Sequence, residues 1–263
     1  MLHLRGVLLV GFWISIFPNL GTAADTAPRY PIAGWSGFYV GASAGASFIS
    51  LDSIGNRQNV NTSPFGTFTQ TVNAIASGRD TGYVSDLYVG YNQQFGTRVI
   101  VGAQVEGGFA GNSINMRGVE RILTVQRAPI PPELTTQDTL FTIPHRWSAA
   151  AFVRAGYLVS NDTLAYILAG WTYARFEISA SDVLPNFGLH GPIVGAGIER
   201  KIAGHWTMRA EYRYSSFMDG DVGGTFRRTA QGVIPQTSTA VATGRFDAAA
   251  HTGRVGIAYY FHP

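Results

Sequence analysis

Past the first two dozen residues the hydrophobic positions recur with period two rather than 3.6. They do so in segments of about ten residues, the signature of strands with one apolar face. Eight such segments are read: Trp35–Ile49, Gly82–Phe95, Val99–Ala110, Arg146–Leu158, Leu164–Glu177, Leu189–Arg200, Trp206–Tyr214 and Phe246–Phe261. Their connections alternate in length. Gly96-Thr97-Arg98, Ser160-Asn161-Asp162-Thr163 and Ala203-Gly204-His205 make short turns, whereas residues 50–81, 111–145, 178–188 and 215–245 are long and polar. Short turns on one side and long loops on the other describe a transmembrane β-barrel. The pattern predicts an all-β, eight-stranded, antiparallel up-and-down barrel with short periplasmic turns and long extracellular loops. Leu123–Arg127 and Thr239–Thr243 are candidate extensions of the barrel strands, and ten strands result if loop segments pair fully.

Side chains alternate between faces along a strand, so the charges can be sorted. In the third segment Val99, Val101, Ala103, Val105 and Phe109 oppose Gln104 and Glu106. In the fourth, Trp147, Ala149, Ala151, Val153, Ala155 and Tyr157 oppose Arg146, Ser148 and Arg154. In the seventh, Trp206, Met208, Ala210, Tyr212 and Tyr214 oppose Thr207, Arg209, Glu211 and Arg213. Val255, Ile257, Tyr259 and Phe261 oppose Arg254 in the eighth. The second and sixth place Asp86 and Glu199 opposite apolar rows. A cation facing the bilayer midplane costs about 2–4 kcal/mol, so the charged face is predicted to point inward. The inward set is then Asp86, Glu106, Glu199 and Glu211 with Arg154, Arg209, Arg213 and Arg254, four acids and four arginines. The fifth segment is ambiguous in its phase. Its reading places Tyr166 and Leu168 toward lipid and Ile167 and Trp171 inward.

Aromatic residues gather near the strand ends, where amphipathic rings favour the membrane interface. Trp35, Phe38, Phe95, Tyr157, Trp206 and Phe261 are assigned to the short-turn girdle. Phe48, Tyr83, Phe109, Trp147 and Tyr214 are assigned to the long-loop girdle.

Composition narrows the picture. The 263 residues are 13% charged and 46% hydrophobic, yet past the N-terminus no run approaches the 18 apolar residues of a helical span. Met1 to Ala24 read as a secretory signal, with Arg5, an apolar stretch from Gly6 to Phe17, and Gly21-Thr22-Ala23 before the cut. The expected organisation is a signal peptide at 1–23, a periplasmic lead-in at 24–34 and the barrel at 35–263. The absence of Cys removes disulfides, Cys-ligated zinc and thiol nucleophiles. A net charge of +3 without an arginine run gives no phosphate track, so no nucleic-acid partner is expected.

Catalytic chemistry finds little support. His145, Ser148, His190, His251 and Asp219 form no recognisable motif, and neither H-E-x-x-H nor G-x-S-x-G occurs. Asp219-Gly220-Asp221 lacks the further oxygens of a calcium loop. Gly195-Ala196-Gly197 opens no helix and so is not a dinucleotide motif. Glycines here are expected to relieve crowding inside a narrow barrel. Arg227-Arg228, in the last long loop, is read as solvated. No catalytic residue, metal site or cofactor is predicted.

Gly34-Trp35-Ser36-Gly37-Phe38-Tyr39-Val40-Gly41-Ala42 resembles the opening strand of OmpA-like eight-stranded outer-membrane proteins. The nearest likeness is to the alphaproteobacterial immunogenic outer-membrane protein and porin-like group. Further matches are Val89-Gly90-Tyr91-Asn92, Val101-Gly102-Ala103-Gln104-Val105-Glu106-Gly107, Val153-Arg154-Ala155-Gly156-Tyr157 and Val194-Gly195-Ala196-Gly197-Ile198-Glu199. Arg209-Ala210-Glu211-Tyr212-Arg213-Tyr214 and Arg254-Val255-Gly256-Ile257-Ala258-Tyr259-Tyr260-Phe261 complete the set. The resemblance implies insertion by the barrel-assembly machinery, contact with outer-membrane lipid and lipopolysaccharide, and surface-exposed loops that could meet host or surface ligands. Members of the group usually end in an aromatic residue; here Phe261 is followed by His262 and Pro263. The expected role is structural and surface-presenting. A small passive pore, a lipid- or peptide-modifying enzyme and a soluble lipocalin-like binder are the alternatives.

Overall fold

A computed structural model describes residues 34–126, 130–177, 187–230 and 236–261. The signal segment 1–23 and residues 24–33 of the lead-in lie outside the described residues, as does most of the third long connection. The described chain is almost wholly strand: β1 (Gly37–Ser63), β2 (Gly66–Phe95), β3 (Val99–Ala110), β4 (Ser113–Val125), β5 (Glu133–Ser160), β6 (Thr163–Phe176), β7 (Phe187–Ala203), β8 (Trp206–Ala230) and β9 (Gln236–Phe261).

These strands close one ring. Every neighbouring pair is antiparallel, and β1 pairs with both β2 and β9, so the ring is closed up to the tops of β6 and β7; above them the extensions of β5 and β8 each pair on one side. Nine strands occupy eight wall positions, because β3 and β4 lie in line. β2 pairs with β3 low on the barrel and with β4 higher up, and β5 does the same from the other side. The break between them falls at Gly111-Asn112. Its backbone is still satisfied: Gly111 N donates to Tyr83 O at 2.9 Å and His145 N to Asn112 O at 2.9 Å. A ten-stranded wall is therefore not formed.

The register gives the geometry of closure. A path along paired residues runs from Tyr39 through Gly90, Gln104, Phe152, Gly170, Ile193, Ser215 and Ala250, and returns to β1 at Ile49, ten residues from its start. That offset is the shear of the barrel, and with eight strands it sets the tilt and a bore that side chains can fill. Phe38 and Phe48 on β1 are also ten residues apart. At about 3.3 Å per residue and a tilt near 40° they stand roughly 25 Å apart along the barrel axis, the height of the apolar band of an outer-membrane barrel.

The short turns follow local chemistry. Gly96 and Gly204 have φ of 59° and 51°, a left-handed conformation that suits glycine. In the turn between β5 and β6 the Ser160 hydroxyl holds the Asp162 carboxyl below its ordinary value; burial opposes it, and the Thr163 hydroxyl and the Arg200 guanidinium assist.

The long connections depart from expectation. Instead of irregular loops, most of residues 50–81, 111–145 and 215–245 continue the barrel hairpins: β1 and β2 pair without interruption to Ser63↔Gly66, and β8 and β9 pair out to Ala230↔Gln236. Runs such as Asn59-Val60-Asn61-Thr62 carry no charge to disfavour pairing, and each backbone bond is gained at little further loop-closure entropy.

Strand phase agrees with the sequence reading in most of the wall and differs in two places. In β6, Tyr166 is 4% exposed and Leu168 3%, whereas Ile167 is 65% exposed and Trp171 53%, so the assignment is inverted. Between Leu164 and Ala174 both faces are free of charge, and only the partner strands decide which turns inward. Arg146, assigned inward, is instead exposed and pairs with Glu177 at 2.7 Å. It sits on a β-bulge between His145 and Trp147, where one extra residue reverses the faces. Replacing Ile167 with Arg is expected to destabilise the barrel by about 2–4 kcal/mol in reversible urea unfolding from lipid vesicles. An unchanged midpoint would contradict the observed phase.

Candidate functional site

The lumen is filled along its axis. Toward the extracellular end Ile49, Leu51, Ile114, Met116, Ile143, Phe176, Phe187, Leu189, Phe217 and Phe246 form one buried cluster. Below it Trp35, Tyr39, Tyr88, Ile100, Phe152, Leu158, Leu164, Tyr166, Leu168 and Tyr260 belong to a second. A belt of charge is interleaved with the rings of this lower cluster.

All eight predicted charges meet in that belt. Arg154 Nη2 donates to Glu199 Oε2 at 2.6 Å. Arg213 chelates Glu211 Oε2, through Nε at 2.8 Å and Nη2 at 2.5 Å, and pairs with Glu106 through Nη1. Arg254 Nη1 bridges Asp86 Oδ2 at 2.7 Å and Glu106 Oε1 at 3.0 Å. Arg209 Nε lies 3.4 Å from Glu211 Oε1, and its Nη1 donates to Gln104 Oε1 at 2.8 Å. Burial of this kind is tolerated only when every charge has a partner, and here the acids and arginines alternate through the belt.

Neutral side chains complete it. Thr207 Oγ1 donates to Glu199 Oε1 at 2.7 Å and the Tyr260 hydroxyl to the same oxygen at 3.0 Å. The Tyr166 hydroxyl donates to Glu211, that of Tyr39 to Gln104 Oε1 at 2.9 Å, and that of Ser43 to Asp86 Oδ2 at 3.3 Å. All eight wall positions thus contribute to one network. Aromatic faces cover what hydrogen bonds leave bare. The Arg154 guanidinium carbon lies 4.5 Å from the Tyr166 ring centre, that of Arg209 3.5 Å from Tyr88, and that of Arg213 4.8 Å from Phe152. Such cation–π contacts strengthen when desolvated.

The glycines of the inner face make room for those rings. A methyl group at Gly41 would collide with the Tyr88 ring, at Gly90 with Tyr39, and at Gly197 with Tyr166. This is the crowding-relief role expected for them, and it explains why Gly197 belongs to no nucleotide loop.

Of the eight lumen charges and eleven girdle aromatics assigned from the sequence, Trp35 is misplaced. Trp35, assigned to the interfacial girdle, is only 1% exposed and closes the periplasmic mouth from inside. Its Nε1 donates to Asn161 O at 3.2 Å, its ring meets Tyr260 edge-on, and Lys201 Nζ sits 4.8 Å from the ring centre. The reason is parity: Trp35 shares a face with inward Tyr39, opposite to outward Phe38. Phe38, Phe95, Trp147, Tyr157, Trp206, Tyr214 and Phe261 all face outward. Tyr39, Tyr88, Tyr260 and Gln104 were not recognised as network members, although each shares its strand's charged or polar parity. For Tyr166 no such signal existed.

Substituting Arg154 with Met leaves Glu199 buried without its cation and is expected to lower unfolding stability by about 3–5 kcal/mol. Pairing that change with Glu199→Gln should recover a large part of the loss. Urea unfolding of the two variants and the parent in lipid vesicles checks both statements; equal stability of the single variant and the parent would contradict the paired lumen.

A family model described as outer membrane protein beta-barrel domain matches residues 20–246. The chain is 25% identical over 235 residues to a 22 kDa outer membrane protein of Rhizobium leguminosarum bv. viciae, covering 82% of this chain and 87% of that protein. It is 24% identical over 205 residues to the 31 kDa outer-membrane immunogenic protein of Brucella melitensis, covering 73% and 75%. Among solved structures, OprG from Pseudomonas aeruginosa aligns over 88% of this chain and 99% of its own at 12% identity, with a TM-score of 0.43. A closed ring of eight wall positions, an outward apolar band between aromatic girdles and the family match lead to one conclusion: the chain belongs to the outer membrane protein β-barrel family and resides in the outer membrane.

Proposed function

We propose that the protein acts as a structural, surface-presenting component of the envelope, a sealed anchor for long extracellular hairpins. The observation that carries this reading is the filled lumen. A passive pore needs a continuous wet path, and here a belt of paired charges packed among aromatic rings lies below an apolar plug. The space between belt and plug is a cavity of about 30 Å³ beside His145, Ser148, Glu106 and Arg254, room for about one water molecule.

The outer surface supports the expected partners. Arg79 and Arg175 stand four and two residues above Tyr83 and Tyr173 on β2 and β6, and Arg146, paired with Glu177, follows on the bulge of β5. Arginine at that height suits the phosphates of lipopolysaccharide, and the outward apolar band suits the lipid below. The antiparallel closed wall fits a substrate of the barrel-assembly machinery. The hairpin ends offer strand edges and polar faces to host or surface ligands.

Among the described residues an enzymatic role finds no supporting constellation. His145 stacks on Phe176, His190 lies against Trp171, and His251 Nδ1 is 2.6 Å from the Tyr212 hydroxyl. Each histidine is engaged by a different aromatic residue on its own part of the wall. The side chain of Asp219 lies outside the described residues.

The test is electrical. Protein inserted into planar bilayers is expected to leave the membrane without discrete conductance steps, while removal of the gene should raise sensitivity to detergent with chelator. Reproducible single-channel steps from the purified protein would overturn the sealed-anchor reading in favour of a pore.

A further inference from the structure

Above the apolar plug the extended strands border a second space. It is a cavity of about 240 Å³ walled by β1, β2, β4, β5 and β9. Its origin lies in three adjacent inward positions. Gly55 pairs with Gly244 on one side and with Ala74 on the other, so this level of the wall projects almost nothing inward. One level below, Phe246 faces the lumen and stacks on Phe187 with ring centres 4.4 Å apart, giving a rigid aromatic floor. Phe141 and Val72 add apolar surface to the sides. One level above, Arg57 points inward between Ala242 and Val72.

The space carries one charge of each sign: Glu120 on the β4 side, which accepts from Gln137 Nε2 at 3.0 Å, and Arg57 on the β1 side. Arg57 makes no hydrogen bond or ion pair among the described residues, so its guanidinium is available to an incoming anion. Four residues separate Ser53, level with the floor, from Arg57; at about 3.3 Å per residue this is roughly 13 Å of strand. An apolar cavity near 150 Å³ takes up benzene, so 240 Å³ accommodates one ring and a short chain.

We infer that this vestibule is a binding site for small amphipathic carboxylates, with an aromatic ring on the Phe246 and Phe141 floor and the carboxylate held by Arg57. The planar guanidinium matches a carboxylate in two parallel hydrogen bonds. The plug beneath makes the site a blind cup, so the ligand is captured at the surface and not conducted. The site is independent of the scaffold role: it needs the upper plug, not the charge belt.

The experiment uses the full barrel in lipid nanodiscs, with protein-free nanodiscs as the reference and trans-cinnamate and its neutral amide as probes. Calorimetric or NMR titration is expected to show saturable cinnamate binding with a Kd on the order of 1 mM or tighter, the range for a ligand of this size, and at least fivefold weaker binding of the amide. Arg57→Gln should remove that preference. Gly55→Leu should abolish binding of both probes by filling the cup; its Cβ would meet the Thr243 carbonyl at an ordinary 3.7 Å, and heat-modified mobility on gels confirms that it folds. Ala74→Leu, from the neighbouring strand, provides a second obstruction. Failure to saturate, or binding that survives both filled variants, overturns the site. Equal affinity for acid and amide in the parent overturns the role of Arg57. Conductance plays no part in this assay, so a pore would leave its outcome unaffected.

Discussion

In hydrocarbon every backbone N–H and C=O must find its partner within the protein, and this requirement shapes everything else in the molecule. A ring that closes with an offset of ten residues over eight wall positions meets it. The same closure fixes the bore. Eight strands leave an interior too narrow for a channel unless side chains are withheld, and too wide to be filled by small ones. The interior is therefore a packing problem solved with large residues: tyrosines and arginines laid across the axis, with glycines opposite the rings.

Charge in that interior is an outcome of the same constraint. An arginine is long enough to reach the axis, and an acid from another strand neutralises it there. Because the eight charges come from β2, β3, β5, β7, β8 and β9, the network ties non-neighbouring wall positions to each other across the lumen. Backbone ladders join only adjacent strands. The belt adds links across the ring, and those are what resist flattening of the barrel. The aromatic rings packed among the charges and the apolar plug above them keep water from competing for the ion pairs.

Above the membrane the constraint is relaxed, and the wall changes character. The strands continue because pairing remains favourable, but inward positions no longer need to be filled. Gly55, Ala74 and Gly244 leave room where Phe246, two residues from Gly244, seals it. The boundary between structure and recognition in this protein is thus a boundary between a filled and an unfilled lumen.

The eight-stranded wall, the inward set of Asp86, Glu106, Arg154, Glu199, Arg209, Glu211, Arg213 and Arg254, and most of both girdles were legible in the sequence, because a period of two assigns every residue of a strand to a face once one charge is placed. Trp35 was legible as well, since its parity matches Tyr39 and opposes Phe38. Only the tertiary structure decided the rest. The membrane part of β6 has two charge-free faces, so its phase depends on Glu211 of a strand two positions away reaching Tyr166. The bulge at Arg146 reverses parity without a local mark. Which arginine meets which acid, and how far the hairpins run beyond the membrane, depend on register around the closed ring, and a single strand carries no information about an offset that exists only when the last strand meets the first.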